Sequence, residues 1–120
     1  MDEKIEEWLD RAREDLDDAE FNLKGDRYRL ACFLCQQAAE KALKAVYIKK
    51  FKKLMKTHDL VILGREVNLP EKLIGYCKEL SPAYMYSRYP DVIEVSNLDE
   101  IAEVFLSYAK EVLTWSEKQI

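Results

Sequence analysis

No apolar run in this chain approaches the ~18 residues that a membrane span requires, and its first segment is acidic where a secretory signal would be basic and then apolar. The expectation is a protein that stays in the cytoplasm, away from membranes. Strand-type alternation of apolar and polar residues is missing throughout, which leaves helices as the regular elements. Histidine occurs once, at His58. A single histidine with no identified partner is a weak basis for acid-base chemistry, and its plain reading is a residue in the first turn of a short helix. Cysteine is scarce and odd in number, with three in all. Cys32 and Cys35 stand three apart on one predicted helix, so their side chains project in parallel and a structural disulfide is not expected. The pair spells C-x-x-C, and Cys77 with His58 would complete a zinc set. Both cysteines fall among apolar neighbours, where a free thiol acts as a small hydrophobe, so neither a metal nor any other cofactor is expected.

What the chain does contain is a balance of 48% hydrophobic and 35% charged residues over 120 positions, which separates it from disordered sequences and fits one folded domain spanning 1–120. The net charge of −4 conceals a division. Residues 1–20 carry ten acids against three bases, a net −7, and residues 21–58 carry ten bases against two acids, a net +8. A basic middle of this kind steers anionic partners such as nucleic acid or a nucleotide. Equally, the acidic first helix and the lysine-rich end of the second would neutralise each other across a bundle.

The run Cys32-Phe33-Leu34-Cys35-Gln36-Gln37-Ala38-Ala39-Glu40-Lys41-Ala42-Leu43-Lys44-Ala45 is built of strong helix formers and holds no Gly or Pro. At ~100° per residue, Leu30, Leu34, Cys35, Ala38, Ala39, Ala42, Ala45 and Val46 fill one wide apolar arc. Gln36, Gln37, Glu40, Lys41 and Lys44 share the remaining face. A helix apolar over more than half its circumference needs several neighbours to cover it, and this one, over about 27–52, is the expected centre of a bundle. Its polar face reads as a solvated surface carrying a Glu40–Lys44 pair, as a buried network fixing register, or as the wall of a binding cleft.

Around it, Ile5, Leu9, Ala12, Leu16, Ala19 and Leu23 mark a first helix over about 3–24, with Gly25 in place for a C′ turn and Asp26 as N-cap of the second helix. Phe21 points away from that stripe, toward a later segment or a partner surface. Thr57 and Asp59 are candidate caps of a short helix carrying Leu60, Val61, Ile62 and Leu63 and stopping near Gly64. Pro70 stands at the start of another helix with Leu73, Ile74, Cys77 and Leu80, which Ser81-Pro82 interrupts or restarts. A stripe from Leu98 through Leu113, capped at Asn97 or Asp99, closes the pattern. Between the last two helices lies the least helical stretch, where Tyr84, Tyr86 and Tyr89 flank Arg88, and Pro90 holds Tyr89 extended. Aromatics interleaved with a cation stack on bases and hold phosphates, or pin a loop to a bundle. The expected fold is all-α: an antiparallel up-and-down four-helix bundle with one additional short helix.

Four stretches, Trp8-Leu9-x-x-Ala12-x-x-Asp15-Leu16-x-x-Ala19, Cys35-Gln36-Gln37-Ala38-Ala39-Glu40-Lys41-Ala42-Leu43-Lys44-Ala45, His58-Asp59-Leu60 and Ser87-Arg88-Tyr89-Pro90-Asp91, together resemble the HEPN domain (higher eukaryotes and prokaryotes nucleotide-binding). The resemblance covers nearly the whole chain in the right order. It implies a helical bundle that dimerises, and for stand-alone prokaryotic domains a partnership with a minimal nucleotidyltransferase in a toxin/antitoxin-like pair. Many HEPN domains are metal-independent RNases with an Arg followed after four to six residues by His. Here Ile93, Glu94 and Val95 occupy those positions after Arg88, so cleavage does not carry over by motif. The expected function is therefore a nucleotide- or RNA-binding and partner-docking module. Gln36, Gln37, Glu40, Lys41, Lys44, Arg88, Tyr89 and Asp91 are its ligand-binding candidates, and Asp15 is a structural polar partner of Arg88 or a lysine. Two alternatives stand beside it: a divergent endoribonuclease using Arg88 and His58 across a dimer, and a purely structural dimerisation domain.

Overall fold

The computed structural model describes residues 2–85 and 97–120, and every described element is helical. Helix α1 spans Glu3–Lys24, α2 Tyr28–Phe51, α3 Leu60–Glu66, α4 Glu71–Leu80 and α5 Leu98–Lys118, with a 3₁₀ turn over Ser81–Met85 after α4. Arg88, Tyr89 and Asp91, with the rest of the Tyr-Arg-Tyr loop after Met85, lie outside the described residues.

Ion pairs and ring contacts fix how the helices run. Arg13 Nη2 meets Glu117 Oε2 at 2.7 Å and Glu20 Oε1 meets Lys110 Nζ at 3.3 Å, so α1 ascends as α5 descends. Lys72 pairs with Glu111 at 3.7 Å while Tyr76 stacks on Tyr108 with ring centroids 4.0 Å apart, which sets α4 antiparallel to α5. A short turn joins α1 to α2, and the early residues Ile5, Leu9 and Ala12 pack with the late residues Ala42, Ala45 and Ile48. The result is an up-and-down bundle of α1, α2, α4 and α5 with the short α3 laid against it. These surface pairs add about 0–1 kcal/mol each, so packing holds the bundle. No described helix is long and apolar enough to cross a membrane.

Helix α2 is the centre of that packing. Cys32, Cys35, Ala38, Ala39, Ala42, Leu43 and Ala45 have no accessible surface. Its alanines let α1 and α5 approach closely, while Leu43 and Val46 fill the space among Leu60, Leu63, Ile74, Phe105 and Val112. Burying each such large aliphatic contributes about 1.5–3 kcal/mol.

Several local expectations fail for reasons of geometry. Leu30 sits on the arc by periodicity yet is 40% exposed, because it lies in the first turn of α2, beyond the reach of its neighbours. Phe21, by contrast, points away from the α1 stripe as expected and is 77% exposed. Asp26 is not an N-cap: it adopts φ 62°, and Gly25 is an ordinary C-cap at φ −91°. The N–H of Arg27 bonds the carbonyl of Asn22 and that of Asp26 bonds Leu23, so aspartate takes the left-handed position of a Schellman turn. Its carboxylate then accepts from the Tyr28 hydroxyl at 2.9 Å. Helix α3 ends at Glu66, two residues past Gly64 near which its stop was expected, and closes in a second such turn with Asn68 at φ 60°. Of the two candidate caps, Asp59 Oδ1 accepts from the N–H groups of Val61 and Ile62, and Thr57 Oγ1 accepts from the N–H of Asp59.

Candidate functional site

Gln36, Glu40 and Lys44 stand at successive i, i+4 positions and form one column on α2. The column is not a solvated face: Gln36 is fully buried, and the side chains of Glu40 and Lys44 are 4% and 8% exposed. Such a column is tolerable only if every polar atom is bonded. Lys44 Nζ donates to Glu40 Oε2 at 2.9 Å, and Gln36 Nε2 donates to Glu40 Oε1 at 3.1 Å and to the carbonyl of His58 at 3.3 Å. Gln37 Nε2 donates to Gln36 Oε1 at 2.7 Å.

The remaining partner is the chain's only histidine. His58 Nδ1 lies 3.1 and 3.2 Å from the two Glu40 oxygens. As a carboxylate paired with Lys44, Glu40 has only acceptors to offer, so Nδ1 carries a hydrogen and Nε2 is left free of that contact. The imidazole is 55% exposed on its other side and stacks on Tyr84, with centroids 4.3 Å apart and planes at 20°. Tyr84 in turn lies 6.3 Å from Phe33. Three elements thus make a shelf: α2 supplies the buried anchor, the segment leading into α3 supplies the imidazole, and the 3₁₀ turn supplies Tyr84. Asp59 capping α3 immediately after His58 holds that segment in place. A histidine held by a buried carboxylate in one tautomer, on an aromatic platform, is equipped to accept a hydrogen bond, hold an anion when protonated, or move a proton.

Lys41 belongs to a different side of α2. Its ammonium meets Asp15 Oδ2 at 2.5 Å across the α1–α2 contact. Burial pushes the Asp15 carboxyl above its ordinary range, and the bond to Lys41 opposes that shift. Lys41 also borders a cleft of about 800 Å³ between the start of α1 and the end of α2, in which Trp8 is the aromatic wall. The Lys44 ammonium lies 5.5 Å from the Trp8 ring centroid. The sequence candidates are therefore divided: Gln36, Gln37, Glu40 and Lys44 gather behind His58, Lys41 pairs with Asp15 across the α1–α2 contact, and Arg88, Tyr89 and Asp91 lie outside the described residues.

Sequence reasoning missed the Glu40–His58 contact and the placement of Trp8 and Tyr84. The histidine and its carboxylate are 18 positions apart across an irregular segment, where no periodicity links them. Among the described residues no group of three or more His, Cys, Asp or Glu side chains is placed to hold a metal ion. Cys32, Cys35 and Cys77 are buried free thiols, each pushed up to about 12 by burial, and none is a nucleophile or a ready metal ligand in this state.

Comparison with known proteins places this geometry. The HEPN domain family model matches residues 5–119. TT1696 from Thermus thermophilus superposes with a TM-score of 0.85 at 30% identity, over 98% of this chain and 98% of its own. ST0689, described as an archaeal HEPN homologue, gives 0.79 at 31% identity over 96% of each chain. A HEPN domain protein from Thermotoga maritima gives 0.75 at 26% identity, over 93% of this chain and 95% of its own. No curated protein matches the sequence.

Proposed function

The chain belongs to the HEPN domain family, and on that premise we propose that it is a nucleotide- or RNA-binding and partner-docking module, acting as a homodimer with a minimal nucleotidyltransferase in a toxin/antitoxin-like pair. The observation that carries the binding role is the His58–Tyr84 shelf on its buried Glu40 anchor. A stacked ring pair offers π faces to a base, and five lysines between positions 49 and 56 lead up to it, an electropositive approach for phosphates. In this reading Gln36, Glu40 and Lys44 are positioning residues. His58, Tyr84 and Gln37 contact the ligand, Arg88 grips a phosphate bidentately, and Tyr89 and Asp91 complete the contact.

Calorimetric titration of the purified protein with nucleoside triphosphates and with short single-stranded RNA at low salt tests it. Binding is expected, weakened about ten-fold or more in His58→Ala and in Arg88→Ala. Absence of binding, or equal binding by both variants, overturns the reading. Light scattering of the same sample is expected to give the mass of a dimer.

The Glu40–His58 contact favours one alternative specifically, a metal-independent endoribonuclease using His58 with Arg88 across the dimer. A carboxylate behind Nδ1 orients the imidazole to take a proton through Nε2 from a ribose hydroxyl. Cleavage of labelled RNA in the presence of a chelator, abolished by His58→Ala and reduced by Glu40→Gln, is its expected signature. An RNA substrate left intact by the wild-type protein disposes of it.

A further inference from the structure

Trp8 stands on α1, yet the charge it touches belongs to the polar column of α2. The Lys44 ammonium lies over the indole, 5.5 Å from the ring centroid, and the lysine side chain is only 8% exposed. An ammonium carries three donors, and among the described residues that of Lys44 makes one hydrogen bond, to Glu40 Oε2 at 2.9 Å. The indole therefore stands where water would otherwise solvate the charge. A desolvated cation on a tryptophan face is the strongest form of that contact. The ring is itself seated, since Trp8 packs against the cluster that holds Ile5, Leu9, Ala42 and Ile48.

From Lys44 the contacts run on toward the shelf. Glu40, one turn back, shares its carboxylate between Lys44 and His58, whose Nδ1 lies 3.1 and 3.2 Å from its two oxygens. Among the described residues no other charged group pairs with Glu40, Lys44 or the imidazole. Around them, Asp15 of α1 is tied to Lys41, Lys110 of α5 pairs with Glu20, and Tyr84 of the 3₁₀ turn stacks on the imidazole. On the histidine's own segment Lys56 is exposed and Asp59 caps α3. Lys44 is thus the cation that balances Glu40, and Glu40 is the anion that faces His58. While Lys44 is seated, the carboxylate is already neutralised and gives an imidazolium little added support. Without the indole the ammonium gains water, its hold on Glu40 weakens, and His58 becomes the remaining cationic partner of a buried carboxylate.

We propose that Trp8 is a positioning residue of the His58 shelf: through Lys44 and Glu40 it sets the pH at which the imidazole changes from a neutral ring with Nε2 open as an acceptor to a cation. Its bearing on ligands rests on the shelf reading above, but its test needs no ligand. Protonation of His58, the only histidine in the chain, is followed by nuclear magnetic resonance of the ring nitrogens in wild type, Trp8→Phe and Trp8→Leu. His58 is expected to take up its proton about one pH unit higher in Trp8→Leu than in wild type. Trp8→Phe, which keeps a weaker π face, is expected to move it less and in the same direction. Lys44→Met removes the cation itself and is expected to move it at least as far as Trp8→Leu does, and adding Trp8→Leu to Lys44→Met is expected to move it no further. Circular dichroism checks that each variant is folded, and if Trp8→Leu is not, Trp8→Phe alone and with Lys44→Met decides. An unchanged titration in the folded Trp8 variants overturns the proposal, and so does a shift toward lower pH. A Trp8 effect that persists undiminished beside Lys44→Met overturns it as well, because the ring then acts on the shelf by another route. Failure of RNA or nucleotides to bind the wild-type protein touches none of these outcomes, so the two readings fall separately.

Discussion

Glu40 is the residue on which the polar interior turns, since Lys44, His58 and Gln36 all bond its carboxylate. Removing it strands an ammonium that is only 8% exposed. Glu40→Ala is therefore expected to cost about 3–5 kcal/mol in urea unfolding. The double change Glu40→Leu with Lys44→Met, which leaves no buried charge unpaired, is expected to recover most of that loss. Asp15 gives a pH-dependent counterpart. Its carboxyl is raised from the ordinary 3.8 by burial, against the opposing pull of Lys41. A group that holds its proton more tightly when folded favours the fold at low pH, and that contribution is lost as pH rises through the window between the ordinary and the raised value. The stability difference between wild type and Asp15→Asn, followed by urea unfolding from acid to neutral pH, should accordingly shift against the wild type as pH rises through that window and level off above it.

At the scale of elements, the two helical glycines outside the first turn make opposite predictions. A Cβ on Gly64 would lie 2.8 Å from Ile74 Cδ1 and 3.0 Å from Leu69 Cδ2, whereas one on Gly75 meets nothing within 4 Å. Gly64→Ala is expected to lower the melting temperature, at about 1–3 kcal/mol of overpacking, and Gly75→Ala to raise it, at up to about 1 kcal/mol of helix propensity. Gly64 shows where sequence reading stops. Periodicity placed α1 and α2 to within a residue at either end, because a 3.6-residue repeat is a property of each helix alone. A glycine that ends a helix and one that admits a neighbouring side chain look the same until the neighbour is known. Asp26 illustrates a similar limit, since a residue suited to an N-cap is also among those that tolerate the left-handed position. The column Gln36–Glu40–Lys44 was legible from its spacing, but its burial and its histidine came from α3 and from the segment before it.

For the whole molecule, the three thiols measure how far the bundle opens. Cys32, Cys35 and Cys77 belong to one continuous core that joins α1, α2, α4 and α5. With each thiol pushed up to about 12, native protein at mildly alkaline pH is expected to resist a disulfide reagent and to react at all three positions once unfolded in urea. Labelling of a single cysteine at native conditions would reveal a partial opening short of global unfolding. The central place of α2 has a temporal side as well. Its contacts with α1 close a turn of a few residues, so this hairpin is the fast local step of assembly. Its contacts with α5 join segments from distant parts of the chain, as does the Arg13–Glu117 bond between α1 and α5, which spans 104 positions. Loop-closure entropy puts that docking late on the folding route. Substitutions along the α1–α2 seam should thus slow folding, while those on the α5 face should chiefly hasten unfolding.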